Sequence, residues 1–175
     1  MRRLLSVTLT GMATLPVAHT AVAADLTVKV EIPRLSVAEY HKPYVSMWVE
    51  GADGAAAQTL SVWYDAKAKE GAGGTKWLKD MRQWWRKAGR DMKMPADGVS
   101  GATRAPGEHS FTFSEGKSAL GKLPAGNYQL VVEAAREVGG RELVRVPFTW
   151  PPQAALSASA KGEHELGTVT VQAKP

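Results

Sequence analysis

Strict alternation of apolar and polar residues over 25–32 constrains the fold of this chain more than any other feature. The apolar members are Leu26, Val28, Val30 and Ile32. A period of two places them on one face of a half-buried β-strand. Six further runs have strand character and are separated by turn-forming residues: 44–50, 59–64, 108–113, 126–136, 141–150 and 165–172. The pattern therefore predicts a mainly β fold, an immunoglobulin-like β-sandwich of seven strands.

Turn residues between these runs predict how neighbouring strands connect. Gly51-Ala52-Asp53-Gly54 separates the second and third runs, and Gly139-Gly140 separates the fifth and sixth. Both pairs of runs are therefore expected to form antiparallel hairpins. The small residues of 151–162 predict a loop before the last strand.

The N-terminus has the three parts of a secretory signal peptide. Arg2 and Arg3 precede a mostly apolar stretch, and small residues end that stretch at Ala23 and Ala24. We therefore expect residues 1–24 to be a cleaved signal peptide. The remaining residues, 25–175, are enough for one ordinary hydrophobic core and are expected to form one domain.

Composition excludes several classes of function for an exported domain. The chain has no cysteine, which excludes disulfides, thiolate metal sites and the attachment of c-type haem. Loss of Arg2 and Arg3 with the signal leaves 20 basic against 17 acidic residues, and the lysines and arginines are scattered. We therefore expect no nucleic-acid partner.

One segment, 75–89, breaks the β pattern. Its apolar residues recur at helical spacing, while lysines and arginines occupy the rest of its surface. Thr75 can cap the start of a helix and Gly89 can end it. The sequence predicts one amphipathic helix, whose residues Trp84 and Trp85 either pack on the sandwich or shield a cofactor.

A polar loop, 95–107, carries the most specific pattern in the chain. It reads Asp97-Gly98-Val99-Ser100-Gly101-Ala102-Thr103-Arg104, which fits Asp-x-x-Ser/Thr-Gly-Ala-Thr/Ser at every constrained position. Such a composition is also compatible with a plain surface turn. The pattern nevertheless resembles the flavinylation motif in the FMN-carrying subunits of sodium-pumping quinone reductases.

The resemblance implies a covalent cofactor and an enzyme that attaches it. In those families a magnesium-dependent FAD:protein FMN transferase joins FMN through a phosphoester to the last Thr or Ser of the motif. Thr103 would then carry FMN. The recognition positions would be filled by Asp97, Ser100, Gly101 and Ala102.

The residue types around Thr103 suit that chemistry. A threonine hydroxyl is a weak nucleophile, and because the sequence shows no catalytic constellation of its own, the transferase would supply the base. Gly101 and Ala102 place almost no side chain beside the acceptor, which allows a close approach. Arg104 is either a partner for the phosphoester or an ordinary solvated cation.

A wider resemblance covers most of residues 25–175. The chain is similar to a family of predicted periplasmic proteins of unassigned function, which are thought to be flavinylated. The segments that carry this resemblance are 76–85, 97–104, Pro106-Gly107, 123–128 and 133–137. That family is often associated with membrane flavin reductases of the iron-uptake type and with the flavin transferase. The resemblance implies a periplasmic electron carrier that is the substrate of the transferase and has no catalytic residues of its own.

Two other functions fit the same chain. A flavin-free immunoglobulin-like binding module would use the helix and its tryptophans to dock a partner. A metal chaperone would use Met92 and Met94, because thioethers are soft ligands for copper(I).

Other titratable residues carry no clear signal for a site. The histidines outside the signal peptide lack metal-ligand spacing and are expected at the surface or in turns: His41, His109 and His164. Glu133 and Glu137 lie four apart and are predicted to be solvent-facing charges.

Overall fold

The computed structural model describes residues 23–67 and 74–175, and they form two β-sheets. Most of the predicted signal peptide, residues 1–22, lies outside the described residues. The strands are β1 (Asp25–Ile32), β2 (Tyr44–Gly51), β3 (Ala56–Tyr64), β4 (Ser100–Ala102), β5 (Gly107–Ser114), β6 (Gly126–Ala135), β7 (Arg141–Trp150), β8 (Leu156–Lys161) and β9 (Thr168–Lys174). One sheet has the order β5-β1-β9-β8, and the other has the order β4-β3-β2-β6-β7.

The two sheets enclose one hydrophobic core, which confirms the mainly β, sandwich-like architecture. All four apolar residues of β1 are buried, as the alternation predicts. Both predicted hairpins are present, because β2 pairs antiparallel with β3 and β6 pairs antiparallel with β7. The likeness to immunoglobulin domains in particular stays a prediction.

The five-stranded sheet is covered on both faces near its centre. This explains why apolar and polar residues do not alternate strictly in the segment 44–50. Six consecutive residues of β2, 45–50, are buried. One face of this sheet meets the core, and the other meets the helical segment after β3, through residues such as Leu78 and Trp84. A strand buried on both faces has no solvent side that would require polar residues.

Two strands were not predicted from the sequence. β4 has three residues, and β8 occupies the stretch expected to be a loop. In β8 the exposed residues are Ser157, Ser159 and Lys161, while its half-buried residues include Ala158 and Ala160. Small side chains at a sheet edge bury little apolar area, so β8 lacks the β-branched and aromatic residues that usually mark a strand.

The prediction of one continuous helix over 75–89 is wrong. The segment consists of a 3₁₀ turn over Thr75–Asp80, a short helix α1 over Arg82–Lys87 and a second 3₁₀ turn over Gly89–Asp91. Met81 leaves helical conformation, with φ −79° and ψ 73°, and separates the first two pieces. None of the described helices is long and apolar enough to cross a membrane.

Residues expected to cap this helix have other roles. Gly74 holds the N-cap position of the first turn, and that turn has no side-chain cap, so the predicted cap at Thr75 is wrong. Gly89 follows the end of α1, where a Cβ atom would lie only 2.6 Å from the ring of Trp84. The glycine at this position therefore allows close packing of the chain on that indole.

Glu133 corrects another expectation, since it is fully buried and not solvent-facing. Its carboxylate accepts hydrogen bonds from the backbone N–H groups of Gln83, at 3.0 and 3.1 Å, and of Trp84, at 2.9 Å. Arg141 Nη1 donates to the same carboxylate at 2.8 Å. The N-cap of α1 makes no side-chain hydrogen bond to the helix, and Glu133 on β6 instead satisfies two of the free N–H groups in its first turn. Glu137, by contrast, is exposed as predicted.

The turn before β9 is organised around one carboxylate on β7. Glu142 accepts hydrogen bonds from four successive backbone N–H groups: Glu163 at 2.6 Å, His164 at 3.1 Å, Glu165 at 2.8 Å and Leu166 at 2.8 Å. Burial raises the pKa of Glu142, but these four bonds together outweigh it and lower the pKa below its ordinary value of 4.5.

This depressed pKa predicts an acid-sensitive turn. The ionised form of Glu142 stabilises the folded state fully above its unfolded-state pKa, and that stabilisation is lost as the pH falls through the lower folded-state pKa. Below pH 4.5, the thermal unfolding midpoint should therefore fall more steeply in the wild type than in Glu142→Gln, whose amide does not titrate. Glu163→Gln, on the same turn but exposed, is the matched control. Equal pH dependence in the wild type and Glu142→Gln would contradict this role.

Candidate functional site

The motif begins with a turn that its own serine closes. The backbone N–H groups of Val99 and Ser100 both donate to the carbonyl of Ala96, at 3.2 and 2.9 Å. In return, Ser100 Oγ accepts from the backbone N–H of Ala96 at 2.9 Å. Gly98 has φ +71°, a conformation that glycine adopts without strain, and Asp97 beside it is exposed. The serine of the motif thus has a structural role in holding the turn.

After this turn, the motif becomes the edge strand β4, which runs parallel to β3. The carbonyl of Val99 accepts from the backbone N–H of Val62 at 2.8 Å and from Ser61 Oγ at 3.2 Å. Gly101 then lies opposite Trp63. A Cβ atom at Gly101 would lie 3.5 Å from the Trp63 ring, which is an ordinary contact. Packing against Trp63 therefore does not require a glycine at this position.

Thr103 directly follows β4 and is half-buried, while Ala102, Arg104 and Ala105 around it are exposed. It starts the connection that crosses from the edge of one sheet to β5 of the other. The carbonyl of Ala105 lies 2.9 Å from His109 Nε2, which ties this connection to β5. The acceptor predicted from the sequence is thus partly accessible, on a short connection that is held at its far end.

Arg104 lies over an aromatic cluster formed by both sheets. Its guanidinium carbon is 5.6 Å from the ring centre of Trp63 and 5.4 Å from that of Phe111. Trp63 also contacts the rings of Phe111 and His109, with ring centres 5.4 and 5.6 Å apart. Cation–π contacts of this kind hold a guanidinium in a defined place. Arg104 is therefore positioned immediately beside the acceptor.

The two tryptophans considered as shields for a cofactor have different environments. Trp84 is fully buried, and its Nε1 donates to Thr59 Oγ1 at 3.2 Å. Trp85 is half-buried, with its ring centre 6.3 Å from that of Trp84. Trp84 thus serves the packing of the helical segment on the sheet.

The residues considered as metal ligands are dispersed. Met92 and Met94 are half-buried and pack against the hydrophobic core. His41 and His109 are half-buried, whereas His164 is exposed. Within the part of the chain that the structure describes, no three His, Asp or Glu side chains are grouped so that they could hold a metal ion.

A cleft at the end of the five-stranded sheet was missed by the sequence analysis. It has a volume of about 280 Å³, and its walls include Tyr44, Trp77, Asp80, Arg136, Glu137 and Val138. These residues come from β2, the 3₁₀ turn after β3 and the β6–β7 hairpin, so only the fold brings them together. Trp77 is one of the apolar residues of 75–89 whose spacing predicts the apolar side of a helix, yet 43% of its surface is exposed.

The cleft and the motif lie at the same end of the five-stranded sheet. Ala102, the last residue of β4, is opposite Tyr64, the last residue of β3. The ring of Tyr64 contacts that of Tyr44 edge-on, with centres 6.4 Å apart, and Tyr44 lines the cleft. Two strand spacings, or about 10 Å, therefore separate the end of β4 from the start of β2.

Fold and site define a two-sheet β domain that displays a glycine-containing motif at the free edge of one sheet. The chain belongs to the family described as predicted periplasmic protein (DUF2271), whose profile matches residues 25–168. This confirms the resemblance to a family of predicted periplasmic proteins. No curated protein and no solved structure matches the chain.

Proposed function

We propose that this protein is a periplasmic electron carrier with FMN bound covalently to Thr103, exported by a signal peptide that is cleaved after residue 23 or 24. The observation that carries the proposal is the position of the complete motif, on the edge strand β4 and the partly exposed residue that follows it. A modifying enzyme needs access of this kind, because the acceptor must enter its active site.

The attachment chemistry is a phosphoryl transfer from FAD. The Thr103 oxygen forms a bond to the phosphorus on the flavin side of the pyrophosphate, and the bond between that phosphorus and the bridging oxygen breaks. AMP leaves, and the hydroxyl proton passes to a base of the FAD:protein FMN transferase. The result is a phosphoester between Thr103 and FMN. The carrier contributes only the positioned hydroxyl.

The surroundings of Thr103 support this use of the motif. Neither packing nor a positive φ requires glycine at position 101, so its small size is free to serve the approach of the transferase. Asp97 is exposed beside the turn and available for recognition. Arg104 is held over Trp63 and Phe111, where its charge would stabilise the negative phosphoester on the adjacent residue.

The electron donor or acceptor that we propose is a membrane flavin reductase of the iron-uptake type. The bound flavin would supply the redox chemistry, while the protein supplies its position and electrostatic environment. A partly exposed attachment site suits such an exchange, because electrons have to pass between the flavin and a second protein.

The proposal is tested by producing the protein with and without a flavin transferase. With the transferase, the intact mass should rise by that of FMN less water, and the protein should acquire a yellow chromophore that survives denaturation. Without the transferase, the mass should stay that of the unmodified chain. An unmodified chain under both conditions would overturn the proposal and favour the flavin-free binding module.

A further inference from the structure

We propose that the cleft beside Trp77 receives the isoalloxazine ring of the flavin carried by Thr103 of the same chain. This inference rests on the proposed function and extends it from the attachment point to the place where the ring lies. Three features carry it: the short spacing between the end of β4 and the start of β2, the exposed Trp77 and Val138 in the cleft walls, and the guanidinium fixed beside them.

Distance makes the cleft accessible to a group tethered at Thr103. The end of β4 lies about two strand spacings, or about 10 Å, from the start of β2, which the extended ribityl phosphate can bridge. Between these two points lie Tyr64, which is buried, and Tyr44, which is half-buried, with their rings in contact.

The walls include two exposed apolar side chains on which a flat aromatic ligand could pack. Trp77 and Val138 both line the cleft, and they are two of the three large apolar side chains that the described residues expose, at 43% and 81%. Lys76 Nζ lies 4.7 Å from the ring centre of Trp77. The other walls include the charged residues Lys42, Asp80, Arg136 and Glu137, so apolar contact with a flat ring would come mainly from Trp77 and Val138.

Val138 adopts an unusual backbone conformation at this site. Its φ is +52°, in the left-handed region that a β-branched residue rarely enters. Its side chain is exposed, so burial of that side chain does not compensate the strain. Strained residues cluster at ligand sites, and here the strain holds an apolar side chain at the rim of the cleft.

A buried ion pair holds one polar residue of the cleft wall, Arg136, in place. Arg136 Nε and Nη2 donate to Glu165 at 2.8 and 3.0 Å, and both side chains are almost fully buried. Arg136 Nη1 is also buried and has no hydrogen-bond partner among the residues that the structure describes. Gly139 lies directly against the guanidinium, where a Cβ atom would come within 2.4 Å of its carbon. The cleft wall thus contains a guanidinium whose position is fixed by its bonds to Glu165 and by the close approach of Gly139.

The test compares flavin fluorescence in variants that carry FMN in equal amounts, as verified by intact mass. An indole in contact with the isoalloxazine quenches its emission. Trp77→Ala should therefore raise the flavin fluorescence several-fold and increase its quenching by iodide. Val37→Ala, which removes an equally exposed apolar side chain outside the cleft walls, should leave both values unchanged.

A second variant keeps the test independent of folding defects. Val138→Gly suits the positive φ and should retain the fold, yet it removes one rim of the cleft, so a smaller rise in fluorescence is expected. Wild-type emission and iodide quenching in both cleft variants would overturn the inference while leaving attachment at Thr103 intact. Absence of the FMN mass from the wild type would instead overturn the proposed function, and the inference with it.

Discussion

Thr103→Ala is expected to abolish covalent FMN while leaving the fold intact. The substitution removes the only atom that would form the phosphoester, so the intact mass after production with the transferase should be that of the unmodified chain. Since Thr103 is partly exposed and follows an edge strand, the free energy of unfolding should change by no more than about 0.5 kcal/mol. Intact mass and the thermal unfolding midpoint measure these two effects.

Two matched variants identify the acceptor oxygen. Thr103→Ser keeps a hydroxyl at the same position and should still gain FMN, since the motif accepts either residue. Thr149→Ala, at an exposed threonine outside the motif, should be modified like the wild type. Retention of FMN by Thr103→Ala would place the attachment elsewhere and refute the assignment of Thr103.

The second large effect is expected on stability, at Glu133. Glu133→Ala leaves the N–H groups of Gln83 and Trp84 without their acceptor and removes the partner of Arg141. Loss of a buried charge that accepts several hydrogen bonds costs about 3 kcal/mol or more. Urea unfolding followed by tryptophan fluorescence should show this loss, because Trp84 lies at the affected helix.

Glu137→Ala is the control that the chain itself offers. Both glutamates belong to one short segment, but Glu137 is exposed and should change stability by no more than about 0.5 kcal/mol. Similar unfolding free energies for the two variants would show that the carboxylate of Glu133 does not hold α1 on the sheet.

The alternating strands could be predicted from the sequence because each depends on residues close together in the chain. β1 is the clearest case, since its four apolar residues are all buried. β8 was not predicted because its small residues bury little surface at a sheet edge. The break in the helical segment was not predicted because it arises from the backbone conformation of Met81. Glu133 was misjudged because the backbone N–H groups that it accepts from, those of Gln83 and Trp84, lie about fifty residues away in the chain.

The candidate site likewise has a local part that could be predicted from the sequence and a part that depends on distant residues. The motif is a local sequence pattern, so its residues could be identified before the fold was known. The cleft depends on three segments that are distant in the chain and meet only after folding. The helical spacing of 75–89 predicts that Trp77 is buried, so its exposure could not be recognised from the sequence. The exposed, strained Val138 is likewise visible only in the structure.

The three residues of β4 also cover the last third of an edge that other molecules could otherwise pair with. An uncovered β3 would offer a row of unpaired amide and carbonyl groups on which strands of other molecules could grow. β4 occupies that row at Val62, Trp63 and Tyr64, and its own length is too short to template much further pairing. The segment proposed to display the acceptor therefore also keeps three of the nine residues of β3 from pairing with other molecules, and substitutions that detach it would expose them.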